Sequence, residues 1–203
     1  MATVTAGRPA RERLLDAAGE LFYESGIAAT GVDAVLARAR VSPATLYAHF
    51  PGKDGLVAAY LERRFRLWQQ TWDEVLGERS DPVDRLLSVF DAVVRYREAE
   101  GNRRGCAFLA AATELPLGHP GQQWLAADSH LLAERLHQLA EAAGADDPTE
   151  VADGLLACYD GALARLARQA ATSGLDTGNP LQRARQMAAD WLAARGRRAR
   201  PSG

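Results

Sequence analysis

Apolar residues in this 203-residue chain recur at spacings of three and four, and almost nowhere do they alternate with polar ones as a half-buried strand requires. The pattern predicts an all-α protein punctuated by proline and glycine. Leu14, Ala18, Leu21, Phe22 and Ser25 trace one face of a first helix, which Gly26 is suited to end because it tolerates a left-handed backbone. Val32, Val35, Leu36 and Ala39 form a short second stripe. Ser42-Pro43 marks the next helix start: a serine hydroxyl accepts an orphan backbone N–H, and proline at the first helical position sacrifices no bond. Leu46 and Phe50 supply the inward face of that helix, and Pro51-Gly52 stops it.

From Lys53 onward Val57, Leu61, Phe65, Trp68, Trp72, Val75 and Leu76 predict one rod-like helix running from the first region into the second. Asp81-Pro82 opens another, with Val83, Leu87, Phe90 and Val94 inward, broken by a charged turn over 101–105. A segment over 106–115 and a Pro/Gly-rich loop over 116–121 precede a helix over about 122–143. Two last helices, about 149–172 and 180–195, are joined by a polar stretch over 173–179 whose length suits antiparallel neighbours. The basic end, 195–203, is expected to fray. Two domains are implied, 1–52 and 53–203.

Composition narrows the function. The chain is 47% hydrophobic and 25% charged with net charge −2, which suits a soluble globular protein. The longest apolar run, Cys106 to Ala112, is far short of the roughly 20 residues of a membrane-spanning helix. No signal-peptide core precedes Leu15, and two cysteines are too few for a disulfide framework, so a cytoplasmic location is expected. Lys53 is the only lysine beside 23 arginines, the mark of a GC-rich coding sequence. The average charge hides an asymmetry: through Arg66 there are nine basic and seven acidic residues, and beyond it fifteen and nineteen. A general polyanion binder is disfavoured, but a local basic patch is not.

Three short helices in about 50 residues, with a tight turn at Ala39-Arg40-Val41, have the layout of a helix-turn-helix DNA reader. The third helix should expose Ala44, Thr45, Tyr47, Ala48 and His49. Small residues let a backbone settle close to a major-groove wall, while Thr45, Tyr47 and His49 can meet phosphates or base edges. Lys53, at the start of the next helix, adds an ammonium near free backbone amides, a pairing that attracts phosphate.

In these residues the chain resembles TetR-type bacterial transcriptional regulators. The match runs through Leu14-Leu15-Asp16-Ala17-Ala18, Leu21-Phe22, Gly26, Val32-Asp33-Ala34-Val35, Val41 to Phe50, Lys53-Asp54 and Leu56, about a quarter of the chain. Its most specific part is Thr45-Leu46-Tyr47-x-His49-Phe50-x-x-Lys53. The resemblance implies that Pro43, Ala44 and Thr45 sit nearest the bases while Tyr47, His49 and Lys53 grip phosphates, with Arg40 and Ser42 beside them as further DNA-binding candidates. It also implies a larger helical C-terminal domain that binds a small effector and dimerises through its last two helices. It does not name the effector, the operator or the sign of regulation.

Two positions depart from the family pattern. Arg40 stands at a turn position usually occupied by glycine, where positive φ would cost about 1–2 kcal/mol. Either the turn differs or Arg40 compensates with a phosphate contact. Gly31 stands where a capping serine or threonine is common, at a cost of a few tenths of a kcal/mol. Arg8, Arg11 and Arg13 suit either a minor-groove or backbone-tracking arm or a frayed soluble terminus.

The strongest enzyme-like signal is His130, Glu134 and His137, one helical face at i, i+4 and i+7. A carboxylate-bridged metal bundle needs a second Glu-x-x-His and further inward glutamates, and the chain has no other Glu-x-x-His, so a solvated or subunit-facing stripe is favoured. A metal-binding bundle or enzyme built on these three residues is the alternative reading. No nucleophile elbow, phosphate loop or dinucleotide fingerprint occurs, so no catalytic residue and no cofactor is expected. Trp68, Trp72, Phe90, Cys106, Phe108, Trp124 and Tyr159 are the candidate lining of an effector pocket, with His119 and Thr113 as further polar groups. Val151, Leu155, Tyr159, Ala162 and Leu166, with Leu181, Ala184, Ala188 and Trp191, give two stripes suited to core or to a two-fold four-helix interface. The expected protein is a homodimeric repressor of palindromic operator DNA, released when a ligand pushes on the rod Lys53–Leu76.

Overall fold

A computed structural model of the chain describes residues 8–101, 106–169 and 178–198, with side chains through residue 195. All but Gly101 of the predicted break over 101–105, the end of the helix expected to reach 172, most of the 173–179 connection and the terminus from 199 lie outside the described residues.

Among the described residues there are nine helices and no strand. They are α1 (Ala10–Ser25), α2 (Val32–Ala39), α3 (Pro43–His49), α4 (Gly52–Gly77), α5 (Pro82–Ala99), α6 (Ala107–Glu114), α7 (Gln122–Ala142), α8 (Pro148–Gln169) and α9 (Pro180–Arg198). Two compact units emerge. One is drawn from Met1–Arg66 and Ala107–Asp128, the other from Leu67–Cys106 and Ser129–Gly203.

Local chemistry sets the helix ends as expected. The Ser42 hydroxyl accepts the Thr45 N–H at 3.2 Å, with Pro43 at the first helical position. Asp81 does the same for α5, accepting from Val83 and Asp84 at 2.9 Å, ahead of Pro82. Gly26 closes α1 by donating to the Phe22 carbonyl, but its φ of 90° is paired with an extended ψ of 160° rather than the helical left-handed value. Gly55 has a separate constraint: any Cβ there would collide with the Pro51 ring, so proline stop and glycine form one packed unit.

In the first unit Leu14, Ala18, Phe22, Val35, Leu36, Ala39, Leu46, Phe50 and Leu61 are buried as the three-to-four spacing predicts, joined by Leu15 and Leu56, whereas Leu21 and Val32 are half-buried and Ser25 is exposed. At 25 cal/mol per Å² each buried leucine, valine or phenylalanine among them contributes about 1.5–3 kcal/mol, and the seven-residue α3 is held by two of these, Leu46 and Phe50. The second unit centres on Trp68, Trp72, Phe90, Leu136, Leu155, Leu163 and Ala188. One phase error appears in α5. Val83 is 44% exposed, whereas Leu86, Val89, Val93 and Tyr96 join Leu87 and Phe90 inside. The cap had fixed where α5 starts, but an 18-residue helix rich in apolar residues does not reveal which of two adjacent stripes is inward.

Surface ion pairs tie α9 to α8, and α5 to the turn after α4, in the second unit. Arg195 forks onto Glu150 with both bonds at 2.6 Å, and Arg95 onto Glu78 with both at 2.7 Å. Hydrogen bonds from these guanidiniums hold the Glu150 and Glu78 carboxyls below the usual glutamate value. A depressed folded-state value means stability present at neutral pH and lost as pH falls through it. Glu150→Gln should therefore lower Tm at pH 7, and the difference should close as pH is taken below 4.5 toward 3; a gap constant with pH would show that the pair contributes nothing.

Candidate nucleic-acid interface

The first three helices build a reading head from the inside out. Leu46 is fully buried and Phe50 nearly so, and these two anchors turn the rest of α3 outward. Pro43, Ala44, Tyr47, Ala48 and His49 are all exposed, Tyr47 to 63%, and Thr45 is half-buried. Neither Tyr47 nor His49 is occluded, so the outer face is small residues at its start and polar rings toward its end. Thr45 and Ser42 share a hydroxyl–hydroxyl bond of 2.9 Å, which presets the rotamers of both groups at the helix tip.

Arg40 adopts φ 54° and ψ 51° and is the one non-glycine residue with positive φ among the described residues. The family turn is therefore kept rather than altered, and its local cost is about 1–2 kcal/mol. Arg40 and Val41 close α2 by donating to Ala37 at 3.3 Å and Leu36 at 3.2 Å. The Arg40 side chain is exposed. Gly31 is the N-cap of α2, with no side-chain cap bond, as its missing hydroxyl requires.

Lys53 lies one residue into α4, where its ammonium donates to the Ala28 carbonyl at 3.3 Å. The Ala28 N–H in turn donates to Glu114 Oε2 at 2.7 Å. Glu114 also rests against Gly26, where a Cβ would meet its Oε1 at 3.2 Å. The loop between α1 and α2 is thus held from both sides, by Lys53 of α4 and by Glu114 at the end of α6. His119, buried at 6% side-chain exposure, accepts the Gly121 N–H on Nδ1 at 2.9 Å, which leaves the proton on Nε2, 3.4 Å from Asp54.

The three N-terminal arginines are engaged within the head. Arg8 pairs with Glu12 and Asp16, Arg11 lies over the Phe50 ring at 5.3 Å, and Arg13 donates to the carbonyls of Ala39 and Arg40. Arg63 links α4 to α1 through Asp16 at 2.7 Å and the Leu15 carbonyl at 3.0 Å, and Arg38 links α2 to Glu20 at 2.6 Å. Sequence reading missed Arg63, Glu114 and the turn contact of Arg13. No local signal marks them: the Glu114 partner is 86 residues away and the Arg13 partners 26 and 27.

Of the candidate effector residues, Trp68, Trp72, Phe90 and Tyr159 meet in the second unit. Trp68 stacks on Trp72 at 5.5 Å and on Tyr159 at 6.4 Å, and Phe90 meets Tyr159 edge-on at 6.5 Å. Cys106 packs against this core. Trp72 and Phe90 are almost wholly buried, with the Trp72 indole donating to Ser88 at 2.9 Å. Phe108 and Trp124 belong to the first unit, where Trp124 packs on Phe65 at 5.8 Å. Thr113 spends its hydroxyl on the Ala110 carbonyl.

His130 and Glu134 are exposed, and His137 lies 3.5 Å from Glu141 one turn on. No group of three potential ligands able to hold a metal occurs among the described residues. The metal-bundle alternative is not favoured.

The stripes expected to serve core or interface serve the protomer's own core. Val151, Leu155, Tyr159 and Ala162 of α8 and Leu181, Ala184 and Ala188 of α9 are buried within one chain, with Leu166 and Trp191 partly so. Trp191 lies over Gly154, where a Cβ would overlap its ring. Contact with a second subunit through these helices would have to use their other faces.

A capped short helix projected from a three-helix head, with its outward side bare, is the layout of a helix-turn-helix DNA-binding protein. Residues 14–60 match the model of the bacterial regulatory proteins of the tetR family. A protein from Streptomyces avermitilis assigned as a TetR transcriptional regulator is 30% identical, with 93% of this chain and 99% of that one covered at TM-score 0.73. A TetR-family transcriptional regulator from Streptomyces coelicolor is 28% identical, with 92% and 89% covered at TM-score 0.80. The HTH-type transcriptional regulator YjdC of Escherichia coli K12 is 28% identical over 177 residues, 84% of this chain and 90% of that protein. The chain belongs to the TetR family of DNA-binding transcriptional regulators. Regulators of this family bind operator DNA and act as dimers, and they are generally not enzymes. No helix among the described residues is long and apolar enough to cross a membrane.

Proposed function

We propose that the chain is a cytoplasmic, non-enzymatic repressor that binds a palindromic operator as a homodimer and leaves it when a small-molecule effector binds. The observation that carries the reading is α3 itself, with Leu46 and Phe50 buried and Tyr47 63% exposed on the opposite face. Residues 1–52 form the DNA-reading part and 53–203 the effector and dimer part. Ser42, Pro43, Ala44 and Thr45 approach base edges, while Arg40, Tyr47, His49 and Lys53 take phosphates. Two copies of α3 enter successive major grooves about 34–36 Å apart. The subunits join through α8 and α9, on the faces turned away from Trp191 and Leu155.

The effector is proposed to enter among Trp68, Trp72, Phe90, Cys106 and Tyr159, which all belong to the second unit. Helix α4 supports this coupling, because one continuous helix carries Lys53 near its start and both indoles further on. A ligand that shifts the indoles biases the presentation of Lys53. A coupling of about 1–3 kcal/mol changes operator affinity 5–150-fold.

The test is a gel shift with DNA flanking the chain's own gene, followed by selection from random duplexes. Binding about 10³-fold or more tighter than to unrelated duplex, with a two-fold symmetric selected site, is the expected result. Binding no tighter than to random DNA in both assays would leave the proposal without support. Ala44 and Thr45 variants should select different sequences, since these residues follow directly on the Ser42 cap at the tip of α3.

A further inference from the structure

We propose that Arg13 is the positioning residue of the recognition helix: it clamps the strained turn that launches α3, and it acts on DNA binding without touching DNA. The proposal rests on the DNA-reading role of α3 given above. The turn holds Arg40 in the left-handed region, a conformation that an L side chain rarely adopts and that surrounding structure must enforce. Arg13 Nη1 reaches from α1 to donate to two consecutive carbonyls of that turn, Ala39 at 3.1 Å and Arg40 at 3.3 Å. The guanidinium is held there by its own setting. Arg13 precedes Leu14 and Leu15, both buried in the head's core, and its Nε is buried without a partner. A guanidinium accepting that loss is committed to the turn rather than free to follow a groove.

The consequence for α3 follows from spacing. Ser42, which caps α3, is two residues past Arg40, and Pro43, Ala44 and Thr45 follow at once. A change in the Arg40 backbone therefore swings the tip of α3 before any of its side chains changes. Ala39 itself is fully buried, so the turn has one fixed end and one end that depends on Arg13. With glycine at position 40 the left-handed conformation needs no enforcement, and Arg13 should become dispensable.

The experiment is a double-mutant cycle on the full-length protein with a selected operator duplex, using wild type, R13A, R40G and R13A/R40G, each measured over a range of salt. The comparison of R40G with R13A/R40G is independent of any phosphate contact that Arg40 makes, because both variants lack that side chain. R13A is expected to bind about tenfold more weakly with an unchanged salt slope, and the loss should shrink below about threefold in the R40G background. Three outcomes overturn the proposal: a salt slope reduced by about one per subunit, equal losses in both backgrounds, or no loss. Where R13A does not fold, thermal unfolding decides: a folded R13A/R40G supports the clamp, and two unfolded variants place Arg13 in the head's core instead. Amide exchange at Val41 and Ser42 supplies the direct readout and should quicken in R13A but not in R13A/R40G.

Discussion

Lys53→Ala is expected to weaken operator binding on the order of 50-fold at 0.1 M salt, across operator and random duplex alike. Each phosphate neutralised by a cation contributes about 0.9 to the slope of log affinity against log salt, so two lysines in a dimer account for about 1.8. The slope should fall by that amount, and over the tenfold range from 1 M to 0.1 M salt this gives the stated loss. In the free protein the ammonium rests on the Ala28 carbonyl at 3.3 Å, a long neutral contact that a phosphate readily outcompetes. Tyr47→Phe separates charge from hydrogen bonding. It removes one hydroxyl per subunit from a ring that is 63% exposed, so affinity should fall about tenfold with the salt slope intact. Filter binding over a salt series reads both, and a Lys53→Ala slope equal to wild type would take away the phosphate role.

Gly161→Glu is expected to convert the protein to a monomer and to lower operator affinity on the order of 100-fold or more. The exposed side of α8, flanking the buried stripe of Val151, Leu155 and Ala162, carries Ala157 and Gly161. A Cβ built at Gly161 meets nothing within 4 Å, so the substitution asks nothing of the protomer's packing. Replacing an interior helical glycine should favour the helix by up to about 1 kcal/mol. Across a two-fold axis the same residue would oppose its own copy, setting two carboxylates against each other in a desolvated contact. Loss of the second head removes the effective-concentration advantage, which is worth about 10²–10⁴ in avidity. Sedimentation at micromolar concentration checks the assembly, and Tm checks the fold. An intact dimer would move the interface away from this face of α8.

Much of the head was legible because its signals are local. Ser42-Pro43 states a helix start through the chemistry of one hydroxyl and one ring, and Leu46 with Phe50 states which side turns inward. The dipeptide Asp81-Pro82 was as clear. What followed it was not: Val83 and Val94 read as inward as well as Leu86 and Val93 do, and only packing against neighbouring helices made the choice. The same ambiguity governed α8 and α9, whose stripes fit a protomer core and a subunit interface equally until burial assigned them to the core. Arg8, Arg11 and Arg13 show the limit from another side. Their charge could be read from the chain, but their partners, an acidic turn of α1, the Phe50 ring and the Arg40 turn, are set by helix packing.

By itself the sequence determined the all-helical class, the capped third helix, its outward residues and the family to which they point, because caps, breakers and three-to-four periodicity act over one or two turns of chain. Only the tertiary structure decided that Arg40 keeps the glycine-like turn, that Arg13 and Glu114 brace the loops on either side of α2, and that the last helices spend their apolar stripes inward. Each of those depends on atoms brought together from distant parts of the chain, and no spacing rule encodes such meetings.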